Sequence, residues 1–442
     1  AESLIALGES AARKMLPELQ ALVDSVVQKE ESGGRFIPIT SIARIHIEKV
    51  DVEGLQHVSK DLVLGKLQID APCDLAIEEL EQAIQRVYGS QFFERVNYQL
   101  EPLNNSMSLI VRVIESTSSK INFGLNYSAD HDAGILLNGT ARNLIGNGTK
   151  LSFDARLGRN MEYGVSYFYY SNFRPGFGFG FSSKEMRYDQ RIYADFEPIA
   201  SYRFVNVLNT LHIQPIISNT FLLDFQAQYQ STRRLPSILP FDWYREKVQT
   251  KYLNLIARIE ADALDDPNFP TKGEAFSAEF KRMHRSFSDG GEAGPSFYRL
   301  FMNYDRAVGR SPLTCRFGAS AGYLSRNDIA IDQFYFIGGI NTFESYMLPF
   351  VGFKYMQAWV QNYLIGKMNL QWEIMPNNFF ILNVNALQSS DDYQKLLQVS
   401  DAVYGYGITY GLSTPIGPFK WTFSSNSKTN DFYSDLSIGF WF

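Results

Sequence analysis

The sequence has no apolar run long enough for a membrane-spanning helix. Such a helix needs about eighteen or more consecutive apolar residues, and no part of the 442-residue chain approaches that length. Only helices and closed β-barrels satisfy all of their backbone hydrogen bonds inside lipid. The chain is therefore either water-soluble or crosses a membrane as a β-barrel.

The sequence also has little cysteine and no excess of positive charge. Cys73 and Cys315 are far apart and lack metal-site spacing, so we expect neither a disulfide nor a bound metal. A net charge of −6 gives no reason to expect a nucleic-acid partner. We expect no cofactor. The histidines are scattered along the chain without metal-ligand spacing and are expected at surface or lumen positions: His46, His57, His131, His212 and His284.

Residues 1–36 predict a helix followed by a linker. An apolar stripe with helical spacing runs through residues 1–29, and Gly33 and Gly34 interrupt it. The first residues do not resemble a signal peptide. We therefore expect that the chain has been processed or is part of a longer protein, with a packing partner for this helix before residue 1.

Residues 37–117 predict a small α+β domain. The order of elements is strand, helix, helix, strand, strand, with the helices covering one face of a small sheet. The helices are predicted near residues 61–67 and 74–88, the second capped by Asp74. The exposed edge of such a sheet can accept an added strand from a partner.

Residues 118–442 contain many short segments in which apolar and polar side chains alternate. Residues 221–229 and 433–442 show this clearly, with large apolar side chains on one face and polar ones on the other. A period of two predicts half-buried strands. Since a soluble two-sheet sandwich shows the same alternation, the pattern alone leaves both folds open.

The number of strands and the lengths of their connections favour the barrel. Roughly sixteen strands are predicted, and outer-membrane barrels have an even number. They begin near residues 121, 133, 149, 162, 177, 201, 219, 250, 274, 296, 313, 357, 378, 403, 418 and 432. Connections after even-numbered strands are mostly short. Several after odd-numbered strands are predicted to be long, near 186–200, 231–249, 285–295, 325–356 and 388–402.

This asymmetry between the two rims is typical of an outer-membrane barrel. The small domain precedes the first strand and so belongs on the short-turn side, which faces the periplasm. We predict a mainly β protein of the bacterial outer membrane, in contact with its lipids. Its parts are an N-terminal helix, one small α+β domain in the periplasm (37–117) and a sixteen-stranded antiparallel transmembrane β-barrel (118–442).

Several motifs resemble the barrel-assembly and two-partner-secretion transporter superfamily (bacterial surface antigen family). Residues 264–273 are similar to its D-x-x-x-F-P-x-x-G periplasmic turn, here Asp265, Phe269, Pro270 and Gly273. Residues 142–148 are similar to its R-N-L-x-G-x-G turn. Residues 89–96, GSQFFERV, resemble the polypeptide-transport-associated (POTRA) module, although another small α+β domain remains an alternative.

The long sixth loop departs from the family pattern. Residues 336–339 resemble the start of that loop, which implies that it folds back into the barrel lumen. The family carries a docked Arg there, whereas this sequence has Phe343, Glu344, Ser345 and Tyr346. An acid would need a basic partner on the lumen wall, which argues against a standard insertase or secretion pore. The loop residues singled out are Gly338, Gly339, Phe343, Glu344 and Tyr346.

The chain also resembles the C-terminal half of patatin-like phospholipases. Residues 4–24 are similar to the closing helix of their lipase domain, and residues 356–359 and 362–373 to their barrels. The resemblance implies that a serine lipase domain precedes residue 1. Within this chain we expect no catalytic residue. Gly318–Gly322 matches a nucleophile-elbow pattern and residues 289–291 a D-G-G pattern, but we interpret them as a strand and an outer loop.

Three functions follow from these features. The leading hypothesis is a barrel that anchors or translocates an N-terminal patatin-like lipase domain. The second is an assembly factor for outer-membrane proteins, acting through a weak seam between residues 121–128 and 434–442. Its seam residues are Ile121, Gly124, Leu436, Phe440 and Phe442. The third is a passive pore, which the long inward loop argues against.

The aromatic end at Phe442 resembles the signal that barrel assembly machinery recognises during insertion. That machinery is therefore an expected partner. The sequence leaves open whether the barrel forms a homodimer.

Overall fold

The computed structural model describes Met15, Leu16 and residues 44–440, apart from 57, 59, 91, 104–105, 116–118, 147, 172–175, 195, 216–220, 239–247, 289–294, 342–346 and 398–400. The helix predicted for residues 1–29 lies outside the described residues except at those first two positions. Within the described residues, no helix combines the length and the apolarity needed to cross a bilayer.

Residues 45–115 form a four-stranded sheet with two helices. The elements are β1 Ile45–Glu53, α1 Lys60–Leu67, β2 Cys73–Leu75, α2 Ile77–Gly89, β3 Phe93–Leu103 and β4 Ser106–Glu115. The strand order is β2-β1-β4-β3, and β1 pairs parallel with β4. Both helices bury apolar side chains against one face of the sheet, in a core that includes Leu62, Val63, Leu80, Val87, Leu109 and Val111.

The start of α2 differs from the prediction. Asp74 does not cap this helix because it lies in β2, a short strand that the sequence pattern did not reveal, where it is 2.8 Å from His46 Nδ1. Glu79 instead accepts a hydrogen bond from the backbone N–H of Ala76, at 2.9 Å. The helix therefore begins at Ile77.

Residues 119–439 contain the sixteen strands of a closed antiparallel barrel, which confirms the predicted fold class. The wall consists of β5 Ser119–Ser128, β6 Asp132–Arg142, β7 Thr149–Gly158, β8 Met161–Tyr170, β9 Phe177–Ala194, β10 Glu197–Pro215, β11 Phe221–Ile238, β12 Val248–Asp262, β13 Lys272–Ser288, β14 Phe297–Arg310, β15 Leu313–Leu324, β19 Asn362–Met375, β20 Asn378–Ser390, β21 Val403–Thr414, β22 Gly417–Asn426 and β23 Phe432–Gly439. Three short strands lie between β15 and β19: β16 Tyr335–Ile337, β17 Met347–Leu348 and β18 Ala358–Val360.

The long loop predicted at 186–200 is wrong. β9 and β10 continue as a paired ribbon through this region, and only two residues connect them. These strands have 18 and 19 residues, whereas about 9–11 suffice to cross the bilayer. The inward face becomes apolar here, because Met186, Tyr188 and Phe204 pack with the inner loop residue Phe336, whereas the alternate residues Arg187 and Asp189 are charged and more exposed.

The distribution of apolar side chains is that of a membrane barrel. On β11–β14 the outward face exposes Phe225, Leu253, Leu255, Phe280 and Leu300. The inward face of the same strands buries Gln228, Gln230, Asn254, Lys281 and Arg299. A soluble protein would bury the first set and expose the second, because burying apolar surface drives folding in water. Lipid on the outside and a polar lumen on the inside explain the reversal.

Tyr170 is an aromatic contact between the small domain and the barrel. Tyr170, at the end of β8, packs against the core of the small domain and meets Phe92 edge to face, with ring centroids 6.0 Å apart. The Lys66 ammonium lies 5.7 Å from the centre of the same ring. Its burial lowers the pKa of Lys66 to about 8.

Both cysteines, Cys73 in β2 and Cys315 in β15, are free thiols.

Two adjacent positions on β13 test which face meets lipid. Ala278 follows the outward parity of Phe280, whereas Ser277 faces inward and is paired in register with Glu260. We expect Ala278→Arg to lower the free energy of unfolding by about 2–4 kcal/mol, since it places a charge in hydrocarbon. Denaturant titration of the protein refolded in lipid vesicles measures this. Ser277→Arg is the matched control and should cost little; equal costs at the two positions would contradict the assignment.

Candidate functional site: the lumen and the seam of the barrel

The segment between β15 and β19 fills the outer part of the lumen. β16 pairs with β17 on one side and with β18 on the other, forming a small sheet inside the barrel. All three side chains of β16 are buried. The Tyr335 hydroxyl donates to the carbonyl oxygen of Leu300, and its ring meets Tyr363 edge to face. The segment, here called the inner loop (residues 325–361), is thus packed like a protein core.

Hydrogen bonds tie the inner loop to separate parts of the wall. Trp359 Nε1 donates to the carbonyl oxygen of Tyr193 at 3.1 Å, on β9. Gln357 Nε2 donates to the carbonyl oxygen of Phe196 at 3.2 Å, beside β10. On the other side of the barrel, Asn426 of β22 donates to the carbonyl oxygen of Gly352 at 2.7 Å. Bonds to strands this far apart place the loop across the lumen.

Gly338 and Gly339 make the turn that lets the inner loop double back. Both have positive φ, +129° and +78°, a region that favours glycine. A Cβ on Gly338 would overlap the carbonyl oxygen of Lys354. The N–H of Gly338 donates to Leu348 and that of Gly339 to Phe353, at 2.9 and 3.0 Å. The other three residues singled out in this loop, Phe343, Glu344 and Tyr346, lie outside the described residues, so a basic partner for Glu344 stays a prediction.

His131, in the turn between β5 and β6, fixes the inner loop to the start of the barrel. Its Nε2 is 3.0 Å from the carbonyl oxygen of Asn341, and its Nδ1 is 2.9 Å from the amide nitrogen of Asn160. A carbonyl only accepts, so Nε2 carries the proton and Nδ1 accepts from Asn160. Burial lowers the pKa of His131 to about 4. The contacts of His131 with Asn341 and Asn160 could not be predicted from the sequence. The three residues lie in separate segments, and no local pattern relates them.

The turn between β12 and β13 closes the short-turn end of the lumen, which is predicted to face the periplasm. Phe269 is 3% exposed and stacks on Phe379 of β20, with centroids 4.4 Å apart. The Lys420 ammonium of β22 lies 5.3 Å from the centre of the Phe269 ring. Since β20 and β22 are several strands away from β12 in the wall, this turn reaches across the barrel. The sequence predicted the turn but not that it enters the lumen.

Two aspartates shape this turn. Asp265 accepts hydrogen bonds from the N–H groups of Thr271 and Lys272, at 2.8 and 3.0 Å. Desolvation raises the pKa of Asp265, but these donors and the Thr271 hydroxyl outweigh it, and its pKa lies below the usual range. Asp266 accepts from the N–H of Phe269 at 2.7 Å. Gly273 has φ +99°, and a Cβ there would meet the backbone of Ala263. Pro270, beside Phe269, is buried as well.

Between the turn and the inner loop lies a cavity of about 240 Å³. Asn268 lines it from below, and Ile340 and Phe350 line it from above.

Elsewhere the wall carries a lattice of polar contacts: Arg258 Nε donates to Glu260 at 2.9 Å and Arg299 to Glu279 at 3.2 Å, while Lys281 donates to Gln228 and Gln230. Among the described residues, no group of three or more His, Cys, Asp or Glu side chains is arranged to hold a metal ion.

The seam between the first and last barrel strands is short. Only three residues of β23 pair with β5: Ser437 with Ser128, Ile438 with Tyr127 and Gly439 with Asn126. The neighbouring pair, β22 with β23, has seven paired positions, from Phe419 with Ile438 to Ser425 with Phe432. Two further bonds support the seam: Ala129 N–H to the carbonyl oxygen of Leu436 at 3.0 Å, and the Asn126 amide to that of Phe440 at 3.2 Å.

The predicted pairing of residues 121–128 with 434–442 is too long. Ile121 and Gly124 pair with β6 but with no described residue of β23, and Ile121 is 87% exposed. Gly439, the last paired residue, has a φ of +100°, and a Cβ there would overlap the carbonyl oxygen of Leu125. One edge of β5 therefore has no strand beside it over residues 119–125 within the described part of the chain. Phe442 lies outside the described residues.

Acidification tests how His131 holds the inner loop. A depressed folded pKa stabilises the loop above the ordinary value of about 6.5, and this contribution is lost as the pH falls through about 4. We expect hydrogen exchange of residues 335–341 to speed up over that interval relative to His131→Gln, which does not titrate. Neighbouring Asp130, whose burial raises its pKa to about 6, titrates in both proteins, so the difference isolates His131. An unchanging difference between pH 7 and 4 would contradict the assignment.

Comparison with known proteins agrees with this architecture. A family model described as the OMP85 superfamily matches residues 107–442. BamA from Haemophilus ducreyi lacking POTRA domains 1–3 has a similar structure, with a TM-score of 0.65 and 15% identity, covering 89% of this chain and 84% of that one. CdiB from Acinetobacter baumannii gives 0.60 and 13%, covering 89% and 73%, and CdiB from Escherichia coli gives 0.55 and 11%, covering 90% and 76%.

At these identities, the solved structures speak for the fold alone. A search of curated protein sequences gave no match. The family match includes all sixteen barrel strands and all but the first residue of β4, which is more than half of the chain. The chain therefore belongs to the OMP85 superfamily, whose barrels are outer-membrane proteins.

Proposed function

We propose that this chain anchors or translocates an N-terminal patatin-like lipase domain at the outer membrane, with a periplasmic POTRA domain joining the two. The observation that carries the proposal is the filled lumen. The inner loop packs across the outer part, and the Phe269 turn crosses the periplasmic end. A passive pore would need a continuous wet path between these two segments, and the buried contacts they make oppose it.

The junction with the small domain supports an anchoring role. Tyr170 inserts from the barrel rim into the core of the small domain, and Lys66 and Phe92 contact its ring. An aromatic ring buried between two units holds them in one relative position. A domain joined ahead of residue 37 would then be held close to the membrane surface rather than on a loose tether.

The identity of the anchored domain rests on the sequence resemblance. Residues 4–24 resemble the closing helix of a patatin-like lipase domain, and residues 89–96 resemble a POTRA module. The strand and helix order of residues 45–115 fits such a module.

A second candidate function is assembly of other outer-membrane proteins. It is favoured by the edge of β5 over residues 119–125, which has no strand beside it in the described part of the chain. Such an edge exposes backbone N–H and C=O groups that an incoming strand can pair with. The three-residue seam next to it would be the place where the sheet opens.

A reporter fusion tests anchoring. An enzyme reporter joined before residue 1 and exported to the periplasm should fractionate with the outer membrane. Tyr170→Ala should leave it in the membrane but increase protease cleavage between reporter and barrel, because the small domain loses its contact with the rim. Tyr169→Ala, which alters the exposed neighbour, is the control. A reporter that fractionates as a soluble periplasmic protein would overturn the proposal.

A locked seam separates the two functions. Tyr127→Cys with Ile438→Cys places two thiols at paired positions of β5 and β23, in a background with Cys73 and Cys315 replaced by alanine. Anchoring should survive the disulfide, whereas an assembly factor should lose activity until a reductant is added. The control is Ile408→Cys with Phe423→Cys, across β21 and β22. Depletion that lowers unrelated outer-membrane proteins, reversed by the unlocked protein only, would favour assembly over anchoring.

A further inference from the structure

Three side chains on adjacent strands form a hydrogen-bonded row on the lumen face near the periplasmic end. Ser182 of β9 lies with its Oγ 2.9 Å from Nε2 of His212 on β10. Nδ1 of the same imidazole lies 3.0 Å from Oδ2 of Asp224 on β11. The hydroxyl and the carboxylate thus contact opposite nitrogens of one histidine.

The proton positions in this row follow from the chemistry of its members. An aspartate carboxylate can only accept, so Nδ1 of His212 carries the proton that it donates to Asp224. Nε2 then has a free lone pair and accepts from the Ser182 hydroxyl. Gln226 also donates to Oδ2 of Asp224, at 2.8 Å, and holds the carboxylate in place. The imidazole is therefore oriented to remove the Ser182 proton.

We propose that Ser182, His212 and Asp224 form a serine hydrolase site in the barrel lumen that cleaves carboxylic esters of short acyl chains. A nucleophile, a general base and an acid that orients the base are recognised by their mutual geometry, whatever the fold. The site lies within this chain and is independent of the anchoring function, so either proposal can fail without the other.

Two members of the row are buried, and the third borders a cavity. Asp224 is 3% exposed, as an orienting acid requires. The His212 ring is mostly buried and packs against Phe168, with ring centroids 5.2 Å apart, which limits its rotation. Ser182, in contrast, lines a cavity of about 320 Å³. The nucleophile faces open space, while the two groups that activate it are held by the wall.

The cavity sets the substrate class. Its volume is at the small end of the range for ligand pockets, so it admits a short ester rather than a whole phospholipid. Buried Leu136 lines it and offers an apolar contact for the acyl chain. Gly164 also lines it and, having no side chain, leaves that space free. Two bases and two acids line the same cavity: Arg156, Lys184, Asp154 and Glu162. Glu162 is 2.9 Å from Lys184 and 3.4 Å from Arg156. This balance of charges does not favour an ionic substrate.

The reaction would proceed in two balanced steps. Ser182 Oγ attacks the ester carbonyl while His212 Nε2 takes its proton; the tetrahedral intermediate collapses, and the leaving alcohol receives that proton. Water then attacks the acyl-serine, His212 takes a proton from the water and returns it to Ser182, and the carboxylic acid leaves. Ser166, paired in register with Ser182 and lining the same cavity, supplies a hydroxyl donor for the oxyanion.

Covalent labelling tests the site directly. The 442-residue chain, folded in detergent, is treated with a fluorophosphonate probe, and hydrolysis of p-nitrophenyl butyrate is followed in parallel. We expect labelling at Ser182 by mass spectrometry. Ser182→Ala should abolish it, and His212→Gln should reduce hydrolysis by at least about 100-fold, the lower end of a general-base contribution. Asp224→Asn should lower kcat more than it changes KM.

A serine on β11 provides the control. Ser231 accepts a hydrogen bond from Gln249 at 2.9 Å and is not among the residues that line this cavity, so Ser231→Ala should label and hydrolyse like the parent. The folding of each variant is checked by comparing its electrophoretic mobility before and after heating. A folded parent without labelling, or labelling that persists in folded Ser182→Ala, would overturn the proposal and leave the row as a structural link between three strands.

Discussion

Closure of the sheet is the constraint on which the rest of this structure depends. In lipid every backbone N–H and C=O must find a partner, so a membrane sheet must pair its first strand with its last. The seam between β23 and β5 meets this requirement with only three paired residues of β23, the last of which is Gly439. The neighbouring contacts from Asn126 and Ala129 supplement the pairing. Stability that the seam does not supply must come from inside the barrel.

The inner loop and the Phe269 turn provide that internal support. The loop places an apolar core between distant strands, and the turn stacks Phe269 on Phe379 at the other end. Bonds from Asn426 and His131 connect the loop to strands next to the seam. The same contacts that block a channel therefore hold together a wall with a weak joint. This packing favours the proposed anchoring function over a passive pore.

Much of the wall could be predicted from the sequence, because lipid on one side and a polar lumen on the other impose alternation. The start of β20 at Asn378 and of β21 at Val403 are at the predicted residues. The predicted strand limits were wrong where the inner loop packs against the barrel wall. The twelfth barrel strand begins at Asn362 rather than near 357, because Ala358–Val360 forms β18 against the inner loop. The residues that meet in space, such as His131 with Asn341 or Ser182 with Asp224, have no signal in local periodicity, since register and closure bring them together.

The unequal heights of the strands give the molecule a front and a back. β9 to β13 have 15 to 19 residues, whereas β5 to β8 and β21 to β23 have 8 to 12. In the proposed orientation, one side stands above the membrane as a curved wall and the side with the seam stays low. A large molecule approaching from outside the cell would meet the tall wall, whereas the seam is approached from within the bilayer plane.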